Sequence, residues 1–250
     1  MRWLLLLLAF LATPARADLF NPFGEARIVE RPGARIPVDL PFTDATGRIT
    51  TLRAIASGRP LLLAPVLHDC PTLCGVTLSG LARALATTRA DTAVVAFGID
   101  PRETPRAAAA ALTRLRATPE GRAIGPVTAL TGSPANIRQV TDALGYRYAW
   151  DARIGQYAHV AAVAVLTPEG RLSSWLYGIA PDPADVTAAL AAARADRTGS
   201  WTDRLLLLCY HYDPATGRYT PAIQTVLRAA AALTLAGLLL LVWRMRRAAA

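Results

Sequence analysis

An α/β sandwich around a mixed β-sheet is the fold class that this sequence predicts, on three observations. Two continuous apolar runs of strand length, at 61–67 and 92–99, are typical of strands that are covered on both faces. Strand patterns and helical patterns alternate through much of the chain, as they do in α/β domains. Later this order changes to a hairpin around Pro168-Glu-Gly170 and a closing helix. The sheet is therefore expected to combine parallel and antiparallel strands.

Turn and cap residues indicate where the individual elements begin and end. Residues 36–40 and 42–52 are expected to form two short strands around an Asp-x-x-Gly turn that ends at Gly47. Thr104-Pro105 and Ser133-Pro134 each place an N-cap residue before a proline, which is a common helix start. The other strands are predicted at 61–67, 92–99, 127–131, 146–150, 160–166 and 174–178, and the helices at 74–86, 104–117, 133–144 and 182–195. This order corresponds to a thioredoxin-like arrangement with insertions.

The apolar excess of the 250-residue chain lies at its two ends. Residues 1–17 have a basic start, an apolar core and an Ala-x-Ala end, which predicts a secretory signal peptide; an uncleaved N-terminal anchor is the alternative. Residues 221–243 carry a single charge, Arg228, and are expected to form a transmembrane helix. Three arginines in the 244–250 tail place that tail in the cytoplasm by the positive-inside rule.

This topology predicts a protein of the inner membrane, crossing it once, with its main domain in the periplasm. Between the two ends we expect an irregular segment at 18–35, a thioredoxin-like domain at 36–196 and a membrane-proximal stalk at 197–220. The stalk contains Cys209 and His211 as a Cys-x-His pair.

The net charge of +9 does not indicate a nucleic acid partner. All 27 basic residues are arginines, and 22 of them remain against 18 acidic residues once the predicted signal peptide and tail are set aside. The domain has no run of arginines interleaved with aromatic residues, so a nucleic-acid-binding function is excluded.

Two cysteines, Cys70 and Cys74, follow the first apolar run directly and precede a helical pattern. Thiols at a helix N-terminus are acidified, because the unpaired backbone N–H groups and the helix dipole favour the thiolate. A bridge across so short a loop would stabilise the domain little, so the pair is expected to be functional. Thiolates either exchange disulfides or bind soft metals, and the three intervening residues allow both.

Three separated motifs give the chain a resemblance to the Sco/SenC family, thioredoxin-fold copper-binding proteins that assist the copper centre of cytochrome c oxidase. The resemblance extends over about residues 36–195. Its motifs are His68-Asp-Cys70-Pro-Thr-Leu-Cys74, Gly98-Ile-Asp100-Pro-Arg-Glu-Thr-Pro105, and Gln156-Tyr-Ala-His159 leading into the strand before Gly170.

This resemblance implies that Cys70, Cys74 and His159 bind copper as Cu(I) or Cu(II). Two thiolates and an imidazole suit soft Cu(I) and can also hold Cu(II). Thioredoxin-like redox enzymes keep a cis-proline at the position of His159, and this chain has no proline from 135 to 167. The implied role is a membrane-tethered copper chaperone, not an enzyme, whose partner is the copper-bearing subunit of cytochrome c oxidase or another periplasmic copper protein.

The chain departs from the family pattern at three points. Glu103 replaces the second acid of the Asp-Pro-x-x-Asp-Thr-Pro segment. Ala158-His159-Val160 replaces Asp-His-Ser, so the acid that could orient the imidazole is absent. The predicted anchor is at the C-terminus rather than the N-terminus, as expected of a divergent branch.

Several alternatives remain open at this point. The cysteine pair could instead act as a thiol-disulfide reductase that keeps the cysteines of an oxidase subunit reduced, with Cys70 attacking and Cys74 resolving. His68, Asp100, Cys209 and His211 are candidate accessory residues. A hydrogen-bonding or surface role is equally compatible with His68, and a capping or loop role is expected for Asp100.

Overall fold

The computed structural model describes residues 25–69, 74–88, 91–152 and 155–199, together with short stretches beyond residue 211. A seven-stranded mixed sheet forms the centre of the domain. In chain order the strands of this sheet are β2 (Phe42–Asp44), β3 (Ile49–Thr50), β4 (Leu61–Val66), β5 (Ala93–Gly98), β6 (Val127–Thr131), β10 (Ala162–Leu166) and β11 (Leu172–Tyr177). Their spatial order is β11-β10-β4-β5-β6-β2-β3.

The central strands of the sheet pair in parallel, and the outer strands pair antiparallel. Strands β4, β5 and β6 pair in parallel, whereas β10 runs antiparallel to β4 and β2 runs antiparallel to β6. Every residue of β4, β5 and β10 is buried, as expected of strands that are covered on both faces. The mixed sheet predicted from the sequence is confirmed.

Helices surround this sheet, and their ends follow the predicted caps. They are α1 (Leu52–Ala56), α2 (Cys74–Thr88), α3 (Pro105–Ala117), α4 (Pro119–Ala123), α5 (Pro134–Leu144) and α6 (Pro183–Arg194). The Thr104 hydroxyl accepts a hydrogen bond from the Ala107 N–H, and the Ser133 hydroxyl accepts one from the Asn136 N–H. Helix α2 packs against α4 and α6, and α3 packs on β6.

The prediction of a strand at 36–40 was wrong. Pro37 has no N–H to give to a ladder, and the Val38 N–H donates locally to the Ile36 carbonyl, so the chain turns here instead. The buried Ile36 and Val38 still join the core. The sequence reasoning also missed the short helices α1 and α4.

The predicted strand at 146–150 is divided in two. Residues Tyr146–Arg147 form β7, which pairs with β1 (Arg27–Ile28), and residues Ala149–Asp151 form β8, which pairs with β9 (Gln156–Ala158). The split lies at Tyr148, where the chain leaves one partner strand and joins the other. Strand β1 lies within the segment 18–35, which the sequence predicts to be irregular.

Within the described residues, no helix is both long enough and apolar enough to span a membrane. The predicted signal peptide lies outside these residues. So do most of the predicted stalk and most of the predicted transmembrane segment, where only β12 (Tyr212–Asp213), β13 (Arg218–Tyr219) and scattered helical positions are described. The signal peptide, stalk and anchor stay predictions.

Candidate metal centre

The three sequence motifs meet at one edge of the central sheet. Parallel strands β4 and β5 end side by side at Val66 and Gly98, so the segments that follow them emerge together. Strand β10 is antiparallel to β4, with Leu166 opposite Leu61, so its first residue lies at the same edge. His159 is three residues before that point. The topology therefore brings the segment before Cys70, the Asp100 loop and the His159 segment to one place.

The described part of the cysteine segment includes the first residue of helix α2, which is Cys74. This position matches the expectation that the second cysteine begins a helix, where the dipole favours a thiolate. Cys70 and the side chain of Cys74 lie outside the described residues, as do Cys209 and His211. Among the side chains that are described, no three His, Cys, Asp or Glu residues are grouped to hold a metal ion.

His68 is a buried, hydrogen-bonded residue, with 2% of its surface exposed. Its Nε2 lies 2.9 Å from the Leu130 carbonyl oxygen, which can only accept, so Nε2 carries the proton. The ring lies against Gly98, where an added Cβ would come within 2.8 Å of Nε2. Burial lowers the pKa of His68, which keeps the ring neutral. These contacts give His68 a structural role. Metal binding by His68 stays a prediction.

Glu103 holds the backbone immediately before Cys70. Its Oε1 accepts a hydrogen bond from the Asp69 N–H at 2.9 Å. Its Oε2 is buried, and no group in the described ranges donates to it. Burial raises the pKa of Glu103 to about 7, and the nearby Asp100 and Asp69 carboxylates act in the same direction. The Glu103 carboxyl can therefore gain or lose a proton near neutral pH.

Asp100 is occupied within its own loop. Its carboxylate accepts hydrogen bonds from the backbone and the guanidinium of Arg102, and this partner lowers the pKa of Asp100. The Arg102 guanidinium in turn lies 4.3 Å from the ring centre of Trp150. The described contacts of the Asp100 carboxylate are therefore within its own loop, and its accessory role at the metal site stays a prediction.

A polar cavity of about 270 Å³ opens between these groups. It is lined by Leu67, Asp69, Asp100, Arg102, Glu103, Gly155 and Gln156. Arg114 of helix α3 donates a hydrogen bond to the His68 carbonyl at 2.5 Å. Helix α3 and the Glu103 loop thus both anchor the two residues that precede Cys70.

His159 is held by a tyrosine from another strand. The Tyr146 hydroxyl lies 3.0 Å from His159 Nδ1 and donates to the Val160 carbonyl at 2.7 Å. The Tyr146 ring is 1% exposed and stacks on Trp175 with ring centres 5.8 Å apart. Burial lowers the pKa of His159, so the imidazole is neutral at physiological pH, as a metal ligand must be.

The sequence does not indicate a site role for Tyr146 or Arg114. It predicts only that Tyr146 lies in a strand and Arg114 in a helix. Neither position carries a motif, because each contact joins residues far apart in the chain through the packing of separate elements.

Comparison with known proteins identifies one family. The family model described as SCO1/SenC matches residues 30–194. No curated protein matches the chain.

Several solved structures share the fold at low sequence identity. Arabidopsis thaliana ScoI with copper bound is 20% identical, with a TM-score of 0.51, covering 66% of this chain and 98% of that one. A SCO1/SenC family lipoprotein from Bacillus anthracis is 16% identical, with a TM-score of 0.55 and the same coverages. BsSco, described as a Sco-family cytochrome c oxidase assembly protein with a disulfide switch, is 17% identical, with a TM-score of 0.51, covering 66% and 96%. The predicted thioredoxin-like fold is confirmed.

Proposed function

This chain belongs to the SCO1/SenC family, and on that premise we propose that it is a copper-binding assembly protein. It would hold copper through Cys70, Cys74 and His159 and deliver it to the copper-bearing subunit of cytochrome c oxidase or to another periplasmic copper protein. The observation that carries the proposal is the family match over 30–194, which includes all three residues.

The described geometry supports this role for His159 and Cys74. The imidazole is neutral, half-buried and held by Tyr146, at the sheet edge from which the cysteine segment emerges. Cys74 begins helix α2, where a thiolate is favoured. Thiolate and imidazole ligands together favour copper over hard cations. Copper is cargo in this role, so no turnover is required.

A thiol-disulfide reductase is the second candidate, because BsSco is described as having a disulfide switch. In that reaction the Cys70 thiolate would attack a partner's disulfide, and Cys74 would then displace the partner. The products are a Cys70–Cys74 disulfide and two reduced partner thiols, so electrons balance without a further reductant. The two roles are compatible, since the pair must be reduced before Cu(I) binds.

The proposed location is the outer face of the inner membrane. Its support is the predicted signal peptide at 1–17 and the predicted anchor at 221–243, with arginines on the cytoplasmic side. This topology would place the copper site in the compartment where an oxidase exposes its own copper centre.

Copper titration of the purified full chain tests the proposed ligands. We expect a thiolate-to-Cu(II) absorption band that is lost in Cys70→Ser, Cys74→Ser and His159→Ala. Cys209→Ser and His211→Ala test the two accessory candidates in the predicted stalk, and the band should stay in place if the three proposed residues are the ligands. A band that persists in His159→Ala would contradict the proposed ligand set.

The same variants separate the two candidates. Copper-free exchange with an oxidized peptide that contains the cysteines of an oxidase subunit should be slow if the chain is a chaperone. Rapid exchange that His159→Ala retains and Cys70→Ser abolishes would favour the reductase instead.

A further inference from the structure

The hydrogen bonds around Tyr146 specify where the proton of His159 resides. The Val160 carbonyl oxygen can only accept a hydrogen bond, and the tyrosine hydroxyl has a single hydrogen to donate. At 2.7 Å that hydrogen points to Val160. The hydroxyl oxygen therefore faces His159 Nδ1, 3.0 Å away, with a lone pair.

Nδ1 must then carry the hydrogen. The Val160 carbonyl oxygen also lies 3.3 Å from Nδ1, so this nitrogen faces two acceptors. An unprotonated Nδ1 would place its own lone pair against both of them. With Nδ1 protonated, the neutral ring has its lone pair on Nε2.

We propose that Tyr146 is a positioning residue that fixes His159 in the Nδ1–H tautomer and so presents the Nε2 lone pair to copper. The copper part of this inference rests on the proposed function. Ligating histidines commonly donate their second ring N–H to an acceptor, which fixes both the tautomer and the ring orientation. In this chain Ala158 stands where an acid could have done so, and the tyrosine hydroxyl takes that place.

The surroundings of Tyr146 hold its hydroxyl in position before any metal binds. Strand β7 pairs Tyr146 with Ile28 of β1, and the ring stacks on Trp175 at an interplanar angle of 22°. Gly145 precedes it in the left-handed conformation that ends helix α5, and an added Cβ there would clash with the Val29 carbonyl oxygen. The hydroxyl thus has little freedom to follow a rotating imidazole.

His68 provides an internal reference of the opposite kind. Its Nε2 faces the Leu130 carbonyl, so its proton resides on Nε2. Two neutral histidines in one protein, the buried His68 and the half-buried His159, are therefore expected to show opposite tautomers.

Nitrogen NMR of the reduced, metal-free full chain tests the tautomer directly. Two-bond proton–nitrogen correlations of ¹⁵N-histidine protein distinguish Nδ1–H from Nε2–H, and His159→Ala identifies the His159 signals. We expect Nδ1–H for His159 in the wild type and a shift toward Nε2–H in Tyr146→Phe, which keeps the ring and its stacking. Tyr148→Phe removes a neighbouring hydroxyl and should leave the His159 tautomer unchanged.

Copper affinity of the same variants tests the consequence. Tyr146→Phe should weaken copper binding about 10- to 100-fold in a chelator competition, as loss of a ligand's hydrogen-bond partner does in other metal sites. A purely structural role would lower the melting temperature without moving the tautomer.

Three results would overturn the inference: Nε2–H at His159 in the wild type, Nδ1–H retained in Tyr146→Phe, or a tautomer shift without loss of copper affinity. A wild-type chain that binds no copper would instead contradict the proposed function. The metal-free spectra would still decide whether Tyr146 sets the tautomer.

Discussion

At the scale of single residues, the site combines side chains whose protonation is set by burial. Burial lowers the pKa of His68 and of His159, so both rings are neutral. Burial raises the pKa of Glu103 to about 7, so its carboxyl stays protonated almost to neutral pH. These residues lie at the sheet edge from which the cysteine segment emerges, and thiols must lose protons to bind copper. Of these three groups, Glu103 is therefore the one whose charge changes near neutral pH.

Glu103 should make the protein less stable as pH rises. Its folded pKa is raised above the value of the unfolded chain, so the folded state binds the extra proton between about pH 4.5 and pH 7. Stability from this group is present below that range and is lost through it. The wild type should therefore lose free energy of unfolding between pH 5 and pH 8. We expect Glu103→Gln to make that loss smaller by about 1–2 kcal/mol, a range that allows for partial contact of the carboxyl with solvent.

Denaturant unfolding of both proteins at the two pH values provides the measurement. Glu30→Gln, at an exposed position, is the control for the change in chemistry and should leave the pH dependence as it is. An identical pH dependence in wild type and Glu103→Gln would show that folding does not raise the pKa of Glu103.

At the scale of elements, helix α3 connects local capping to the site. The Thr104 hydroxyl caps the first turn, and Arg114 near the other end holds the His68 carbonyl. The helix begins two residues after Glu103, so its start also positions the carboxyl that binds the Asp69 N–H. Capping and site geometry thus depend on the same helix.

Thr104→Ala should lower the free energy of unfolding by about 1 kcal/mol, because the Ala107 N–H loses its partner. Thr113→Ala is a matched control in the same helix, where the exposed hydroxyl bonds only to the Ala109 carbonyl. Its effect should stay within about 0.5 kcal/mol, as for other surface changes. Equal effects of the two variants in urea unfolding would contradict the capping role.

At the scale of the whole molecule, the mixed sheet is what assembles the site. Cys74, Glu103 and His159 are separated by tens of residues, yet their segments emerge at one sheet edge because β4 and β5 are parallel and β10 is antiparallel. A ligand held by such segments is expected to link them and stabilise the fold as a unit.

Copper should therefore raise the stability of the reduced chain. At a free Cu(I) concentration of 100 times Kd, the expected gain is about 2.7 kcal/mol, less whatever the unfolded cysteines bind. Thermal unfolding with and without Cu(I) measures it, and Cys209→Ser should behave like the wild type. A gain of the same size in Cys70→Ser would show that the stabilising copper is bound elsewhere.

The α/β class, most of the strands and helices, and the three motifs of the family resemblance can be predicted from the amino-acid sequence. These features depend on local patterns: apolar runs, cap residues, and cysteines beside a helix start. Three other features become visible in the folded chain: Tyr146 contacts His159, Glu103 accepts a hydrogen bond from the Asp69 N–H, and residues 36–40 turn instead of forming a strand. The two long-range contacts follow from how separate strands, loops and helices pack. The turn at 36–40 forms because Pro37 has no N–H to donate to a neighbouring strand. No single stretch of sequence encodes that packing.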